Sequence, residues 1–224
     1  MNTKRILSWV IFIVVLGLII WGVIASMNKD LSTPKVGTPA AVSATTDHIR
    51  TYGPTGTQGT STVAAAPIEL LEYSDFQCPA CEAYYPVVSQ VLASSTVPIK
   101  FIYRHFPLPQ HQNAKPAAYA SEAASMQGKF WEMYDLLFKN HAEWTELADP
   151  TPVFEGYAQR IGLNVTKFKS DSASQTVHDL IDTAITSDQK LGLFQTPTFF
   201  VNGKMIPNPQ SYAEFNSVLQ KAAR

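Results

Sequence analysis

Cysteine is nearly missing from this sequence: Cys78 and Cys81 are the only two in 224 residues. That excludes a small secreted scaffold stapled by several disulfides, which would spread more cysteines along the chain. A bond between these two would close only a short local ring and add little stability, so the pair is there for chemistry. An excess of either charge is missing too, since 17 Lys and Arg face 18 Asp and Glu. Without a basic footprint, nucleic-acid binding is excluded. There is no second Cys-X-X-Cys, and the five histidines are scattered. A closed zinc site needs four ligands, so a metal reading would rest on His105 and His111 lying near each other in space. No internal repeat and no added dimerisation segment is visible, and a monomer is expected. What is abundant is apolar residues, 46% of the chain, enough for one packed core.

Residues 1–27 carry Lys4 and Arg5 ahead of an uncharged stretch over residues 6–25. About 20 apolar residues suffice to cross a bilayer as a helix. Trp9 and Trp21 sit near its ends, where indole rings favour the membrane interface. Positive charges ahead of such a stretch stay cytoplasmic, which puts the rest of the chain outside. The competing reading is a cleaved signal peptide ending at Val23-Ile24-Ala25, although its apolar core would usually span only about 7–15 residues. The expectation is a single-pass anchor in the cell membrane with the domain on the extracytoplasmic side. Both readings place the cysteines in an oxidising compartment. Residues 28–66 are rich in Ser, Thr, Ala, Gly and Pro and read as a flexible tether. Ile49 and Tyr52 are its candidates for docking on a domain edge.

From Pro67 the pattern changes, and residues 67–224 read as one α/β domain. Residues 67–73 form a short apolar strand, 78–92 a helix with apolar positions at helical spacing, and 97–106 a second, β-rich strand. Strand, helix, strand in this order predicts a parallel βαβ unit. Helices are expected over 114–127, with Pro116 confined to the first turn, and over 130–140, 153–161 and 176–191. Trp131, Tyr134 and Phe138 read as core of this helical block. A strand at 198–201, an Asn202-Gly203 turn, a return strand at 204–206 and a helix at 210–223 follow. The predicted layout is βαβ, a helical insert over about residues 110–193, then ββα. Asn164-Val165-Thr166 matches a glycosylation acceptor, a pattern common by chance.

The chemistry concentrates at Cys78-Pro79-Ala80-Cys81. With Pro79 as first helical residue, its missing N–H costs nothing, and Cys78 becomes the N-cap. Its sulfur then faces the amides of Ala80 and Cys81 and the positive end of the helix dipole, which favour a thiolate. The thiolate is the attacking species in disulfide exchange. Cys81, one turn on, is the resolving thiol. The bland readings are half of a zinc site, a structural disulfide or two unrelated thiols; the position between strand and helix favours redox chemistry.

Glu72, near the end of the first strand, is either an ordinary solvent-facing residue or a partly buried carboxylate that shuttles protons for Cys81. Pro197 precedes a strand, where proline cannot donate to the ladder. Only about 5–6% of X–Pro bonds are cis, so the residue alone reads as a plain strand-start proline. Thr196 beside it could offer backbone groups to an extended peptide. Arg104, His105 and His111 sit at and just past the second strand; a histidine there could tune the thiolate by charge, though loop capping and surface pairing are the commoner roles.

Three segments together resemble the DsbA-like branch of the thioredoxin superfamily: LLEYSDFQCPAC, FIYRHFPLPQHQNAKPAAYASEAASMQGKFWEMYDLLF and GLFQTPTFFVNG. The resemblance implies a thioredoxin fold with a helical insertion, with Cys78 as nucleophile, Cys81 as resolving cysteine, Glu72 as the buried acid and Thr196-Pro197 as a cis-proline loop. It implies a protein-disulfide oxidoreductase without cofactor. Its partners would be exported proteins with cysteines and a quinone-linked membrane reoxidase. The rival activities are a disulfide reductase or isomerase, and a non-catalytic chaperone-like or metal-carrying module. The family's namesake has a histidine between its cysteines, whereas here the tuning dipeptide is Pro79-Ala80. Alanine supplies neither charge nor donor, so a reduction potential less oxidising than the namesake's is expected.

Overall fold

The computed structural model describes residues 16–17, 19–21, 36–43, 47–53, 58–59 and 68–224. The chain forms two compact units, Met1–Lys35 and Val36–Arg224. In the first, the described residues are helical and their large side chains exposed. Among the described residues no helix is long and apolar enough to cross a membrane; the anchor expected over residues 6–25 falls mostly outside them.

The described residues of the second unit are built on a six-stranded sheet. Its strands are β1 (His48–Tyr52), β2 (Gln58–Gly59), β3 (Ile68–Ser74), β4 (Ile99–His105), β5 (Thr198–Val201) and β6 (Lys204–Ile206), in the order β2-β1-β4-β3-β5-β6. β3 and β4 run parallel, joined by helix α1 (Pro79–Ser94), and the other pairs are antiparallel. Between β4 and β5 the chain makes α2 (Ala114–Ser125), α3 (Phe130–Lys139), a 3-10 turn (His141–Glu143), α4 (Thr151–Arg160), α5 (Val165–Ser172) and α6 (Gln175–Leu191). Helix α7 (Tyr212–Ala222) closes the chain. This is the βαβ, helical insert and ββα order read from the sequence.

Period-two alternation explains the two cores, because successive side chains of a strand point to opposite faces. Leu70, Phe101, Tyr103, Phe199 and Val201 face one core with α1, α3 and α7. Leu71, Tyr73, Ile102 and Phe200 face the other, with Phe106, Leu108 and Leu193. Six of the seven β3 side chains are buried, as in a strand covered on both faces. The β5–β6 turn takes positive φ at Asn202 (49°) and Gly203 (74°), the backbone that an Asn-Gly hairpin turn uses. Tyr134 and Phe138 are buried, and Trp131 packs against the same core beneath the Arg50 guanidinium, 4.6 Å from its ring centre.

The stretch expected to be a tether departs from that reading. Residues 36–43 pack on the second core through Val36 and Val42, and β1 pairs along the whole of its length with β4. Gly37 donates its N–H to Leu191 O at 2.8 Å, and a Cβ there would come within 2.8 Å of Leu191 Cδ1, so a larger residue would push that side-chain end aside. The physical reason is partners far away in sequence. Asp47 grips Arg104 through two bonds of 2.6 and 2.8 Å, and Arg104 also donates to Tyr73 Oη at 2.9 Å. Such a buried fork holds because loss of one partner strands a charge, at about 3–5 kcal/mol. Helix α5 was also not expected. Its N-cap is Asn164, whose side chain accepts the Lys167 N–H at 2.9 Å, which gives the glycosylation-like triplet a capping role.

Candidate functional site

β3 carries the chain to its C-terminal edge, where Asp75 turns it into α1. Asp75 is almost fully buried. Its Oδ1 accepts the Gln77 N–H at 2.8 Å, and its Oδ2 accepts the Leu108 N–H at 2.9 Å and lies 2.6 Å from His111 Nδ1. An aspartate that bonds two residues ahead makes a turn at little backbone cost. Gln77 adds to the brace. Its Nε2 donates to Thr145 O at 2.7 Å, and its Oε1 accepts the Asn113 N–H at 2.5 Å. Sequence reasoning missed Asp75 and Gln77; the signal was an acidic residue at the strand-to-helix corner.

α1 begins at Pro79, and Cys78 is its N-cap with φ −68° and ψ 121°. Both cysteines are free thiols. Their environments drive them apart. The Cys78 thiol is held down to about 5, chiefly because Cys81 donates a hydrogen bond to its sulfur. Burial works against this; the Thr196 hydroxyl and the amides of Cys81 and Ala80 work with it. Cys81, with no exposed surface, is pushed well above the usual thiol range by burial and by the charge of its neighbour. The site therefore holds one anionic and one protonated sulfur at neutral pH.

The Thr196–Pro197 bond is cis. This loop meets the cysteines directly, since the Cys78 thiol reaches Thr196 O at 3.5 Å. Thr196 Oγ1 itself is buried. Asn208 Nδ2 braces the loop by donating to Pro197 O at 2.9 Å. Phe194, a few residues earlier, is exposed.

Glu72 is 2% exposed, which decides between its two readings in favour of a buried carboxyl. Burial raises it to about 7, the nearby Ser74 hydroxyl offsetting only part of that, and its Oε2 has no hydrogen-bond partner among the described residues. Its charge is felt by Cys81, so the two lie on the same interior side of the site. His111 is tied to Asp75 and raised by that bond, with the Cys78 charge a minor contributor. His105 and Arg104 turn elsewhere: His105 to Glu122, Arg104 to Asp47. His105 and His111 thus take different partners and do not form a metal pair with the cysteines.

A Cys-X-X-Cys at the mouth of the first helix of a βαβ unit, opposite a cis-proline loop, defines a thioredoxin-type site with a helical insert. Comparison with known proteins agrees. A family profile described as "Thioredoxin" matches residues 57–221, and the chain belongs to that family. It is 36% identical over 161 residues to the Na(+)/H(+) antiporter NhaA 1 of Mycolicibacterium gilvum, a match covering 69% of this chain and 25% of that protein. It is 32% identical over 225 residues to the Na(+)/H(+) antiporter NhaA of Herminiimonas arsenicoxydans, covering 99% and 33%. The chain thus spans a quarter to a third of these longer relatives. Among solved structures it is similar to oxidised BdbD of Bacillus subtilis, with TM-score 0.68, 20% identity and 86% and 99% of the two chains covered. It is also similar to MdbA, a thiol-disulfide oxidoreductase of Actinomyces oris, with TM-score 0.61, 18% identity and 86% and 97% coverage. Alpha-DsbA1 of Wolbachia pipientis gives TM-score 0.60, 20% identity and 78% and 90% coverage. These likenesses establish the fold.

Glu72 generates a pH test. Its carboxyl keeps its proton to about pH 7 in the folded chain and loses it near 4.5 when unfolded. The unfolded state therefore binds fewer protons in that window, and the contribution of Glu72 to stability falls as pH rises from 4.5 through 7. Glu72→Gln should gain on the parent across this range by roughly 3 kcal/mol and level off above it. Urea unfolding of the reduced proteins at stepped pH reads this; a constant difference from pH 4 to 8 would refute it.

Proposed function

We propose that the protein is an extracytoplasmic thiol–disulfide oxidoreductase that introduces disulfides into exported proteins through the Cys78–Cys81 pair. The observation that carries the reading is the opposed acidity of the two thiols beside the cis-proline loop. In the oxidised form, a substrate thiolate attacks Cys78 Sγ and the Cys78–Cys81 bond breaks. Cys81 leaves, and Glu72, poised to give a proton near neutral pH, supplies the one it needs. A second substrate thiolate then attacks the substrate sulfur of the mixed disulfide, and Cys78 departs as a thiolate. A thiol of low pKa is a good leaving group in this chemistry, which favours release of oxidised substrate and the oxidase direction. Two electrons then reside on the reduced pair, and a quinone-linked membrane partner removes them.

Thr196 and Pro197 line the entrance to Cys78, and the Thr196 backbone is the surface against which an extended substrate would lie. The uncharged stretch at 6–25 behind Lys4 and Arg5 supports a single-pass anchor in the cell membrane with the domain outside. Tethering would raise the effective concentration for meeting a membrane reoxidase. The Cys78 value of about 5 lies between about 7 for thioredoxin and about 3.5 for DsbA. The lowered Cys78 thiol and a dipeptide that lacks a histidine together support an intermediate reduction potential.

The tests are an activity and a potential. Cys78→Ser should abolish oxidation of a dithiol peptide, while persisting turnover would remove Cys78 from the cycle. Equilibration with glutathione buffers should give a couple less oxidising than DsbA, and a value equal to or above DsbA's would overturn the intermediate assignment.

A further inference from the structure

Away from the cysteines, three metal-ligating side chains from three separate elements converge. His48 on β1 and His105 on β4 each bring Nε2 to the same oxygen, Oε1 of Glu122 on α2, at 2.6 and 2.9 Å. All three donor atoms lie within 4.8 Å of one another, and neither cysteine belongs to the group. We propose that His48, His105 and Glu122 form a binding site for one divalent transition ion, with zinc as the natural occupant.

The donor set is the first argument. Two imidazoles and a carboxylate are ligands that suit zinc and its neighbours rather than calcium or magnesium, which prefer all-oxygen shells. Geometry is the second. Zinc bonds of ~2.0–2.1 Å in a tetrahedron separate ligand atoms by about 3.3 Å. The two nitrogen–oxygen spacings, 2.6 and 2.9 Å, are shorter than that by about 0.7 and 0.4 Å, a gap that side-chain rotation can open. Each neutral ring would coordinate through Nε2 with its proton on Nδ1. The rings are already fixed in place. His48 stacks on Phe130 at a centroid distance of 3.3 Å and 5° tilt, and His105 packs edge-on against Tyr103. Room for a fourth ligand is the third argument. His105 and Glu122 line a cavity of about 180 Å³, large enough for water. Charge is the fourth. Asp188 lines the same cavity, is 6% exposed, and its Oδ2 has no hydrogen-bond partner among the described residues. A buried unpaired carboxylate oxygen is costly unless a positive charge stands near it. Arg104 also borders the cavity and its charge acts on Asp188, but the fork to Asp47 offsets it and burial still pushes the Asp188 carboxyl up to about 7. An ion here would bind β1 to β4 and α2 and so clasp the segment ahead of β3 onto the domain.

The test uses the full chain carrying Cys78→Ser and Cys81→Ser, which cannot bind metal through sulfur. Titration with Co(II), used as a spectroscopic stand-in for zinc, should give one ion per chain. The spectrum should show visible d–d bands of nitrogen and oxygen ligation without a thiolate charge-transfer band, and zinc should displace the ion. His48→Gln and Glu122→Gln should each weaken binding at least about 100-fold, since even outer partners of metal ligands cost 10–100-fold. Circular dichroism of the metal-free variants checks that they fold. No Co(II) uptake by the parent with cysteines replaced, or the same affinity in folded His48→Gln and Glu122→Gln, overturns the site. Because the cysteines are absent throughout, neither result bears on disulfide exchange.

Discussion

The fold and its chemistry depend on one placement: the Cys78 sulfur stands at the mouth of α1 with the Cys81 thiol donating to it from the next turn. Every neighbouring device serves that placement. Pro79 starts the helix without wasting an amide. Asp75 and Gln77 fix the corner that carries the chain from β3 into α1. The loop at Thr196–Pro197 closes over the sulfur from the other half of the sheet. Since β3 pairs with both β4 and β5, the two halves of the site cannot drift apart without breaking the central ladders.

The same placement divides the two thiols. A hydrogen bond from the resolving thiol, the Thr196 hydroxyl and helix amides favour charge on Cys78, while burial forbids it on Cys81. Glu72 sits on the buried side with its proton retained to near neutral pH. Acid, thiol and thiolate thus form a graded series from the interior to the rim, the arrangement that a two-step exchange of electrons and protons requires.

Much of this was legible in the sequence because it is local. The βαβ order, the helix start at Pro79, the Asn202-Gly203 turn and the insert's helices other than α5 follow from periodicity and capping within a few residues. What was not legible depends on long-range partners. β1 docks because Asp47, His48 and Arg50 find Arg104, Glu122 and Trp131 across 57, 74 and 81 positions of chain. Composition saw only a Ser- and Thr-rich tether. Glu72 could not be placed because one strand residue in an apolar run faces either way until the second face is known to be covered. The cis bond at Pro197 left no mark in the residues beside it; only the resemblance implied it. Helix α5 was hidden by its polar composition, although Asn164 gave a cap signal.

The most direct measurement is the pH dependence of Cys78 alkylation in the reduced protein, followed peptide by peptide by mass spectrometry so that Cys81 is scored separately. A thiolate held at the helix mouth should give a Cys78 rate with its inflection near pH 5, with Cys81 left unmodified through neutral pH. An inflection near pH 9, unchanged when the chain is denatured, would contradict the account at its root.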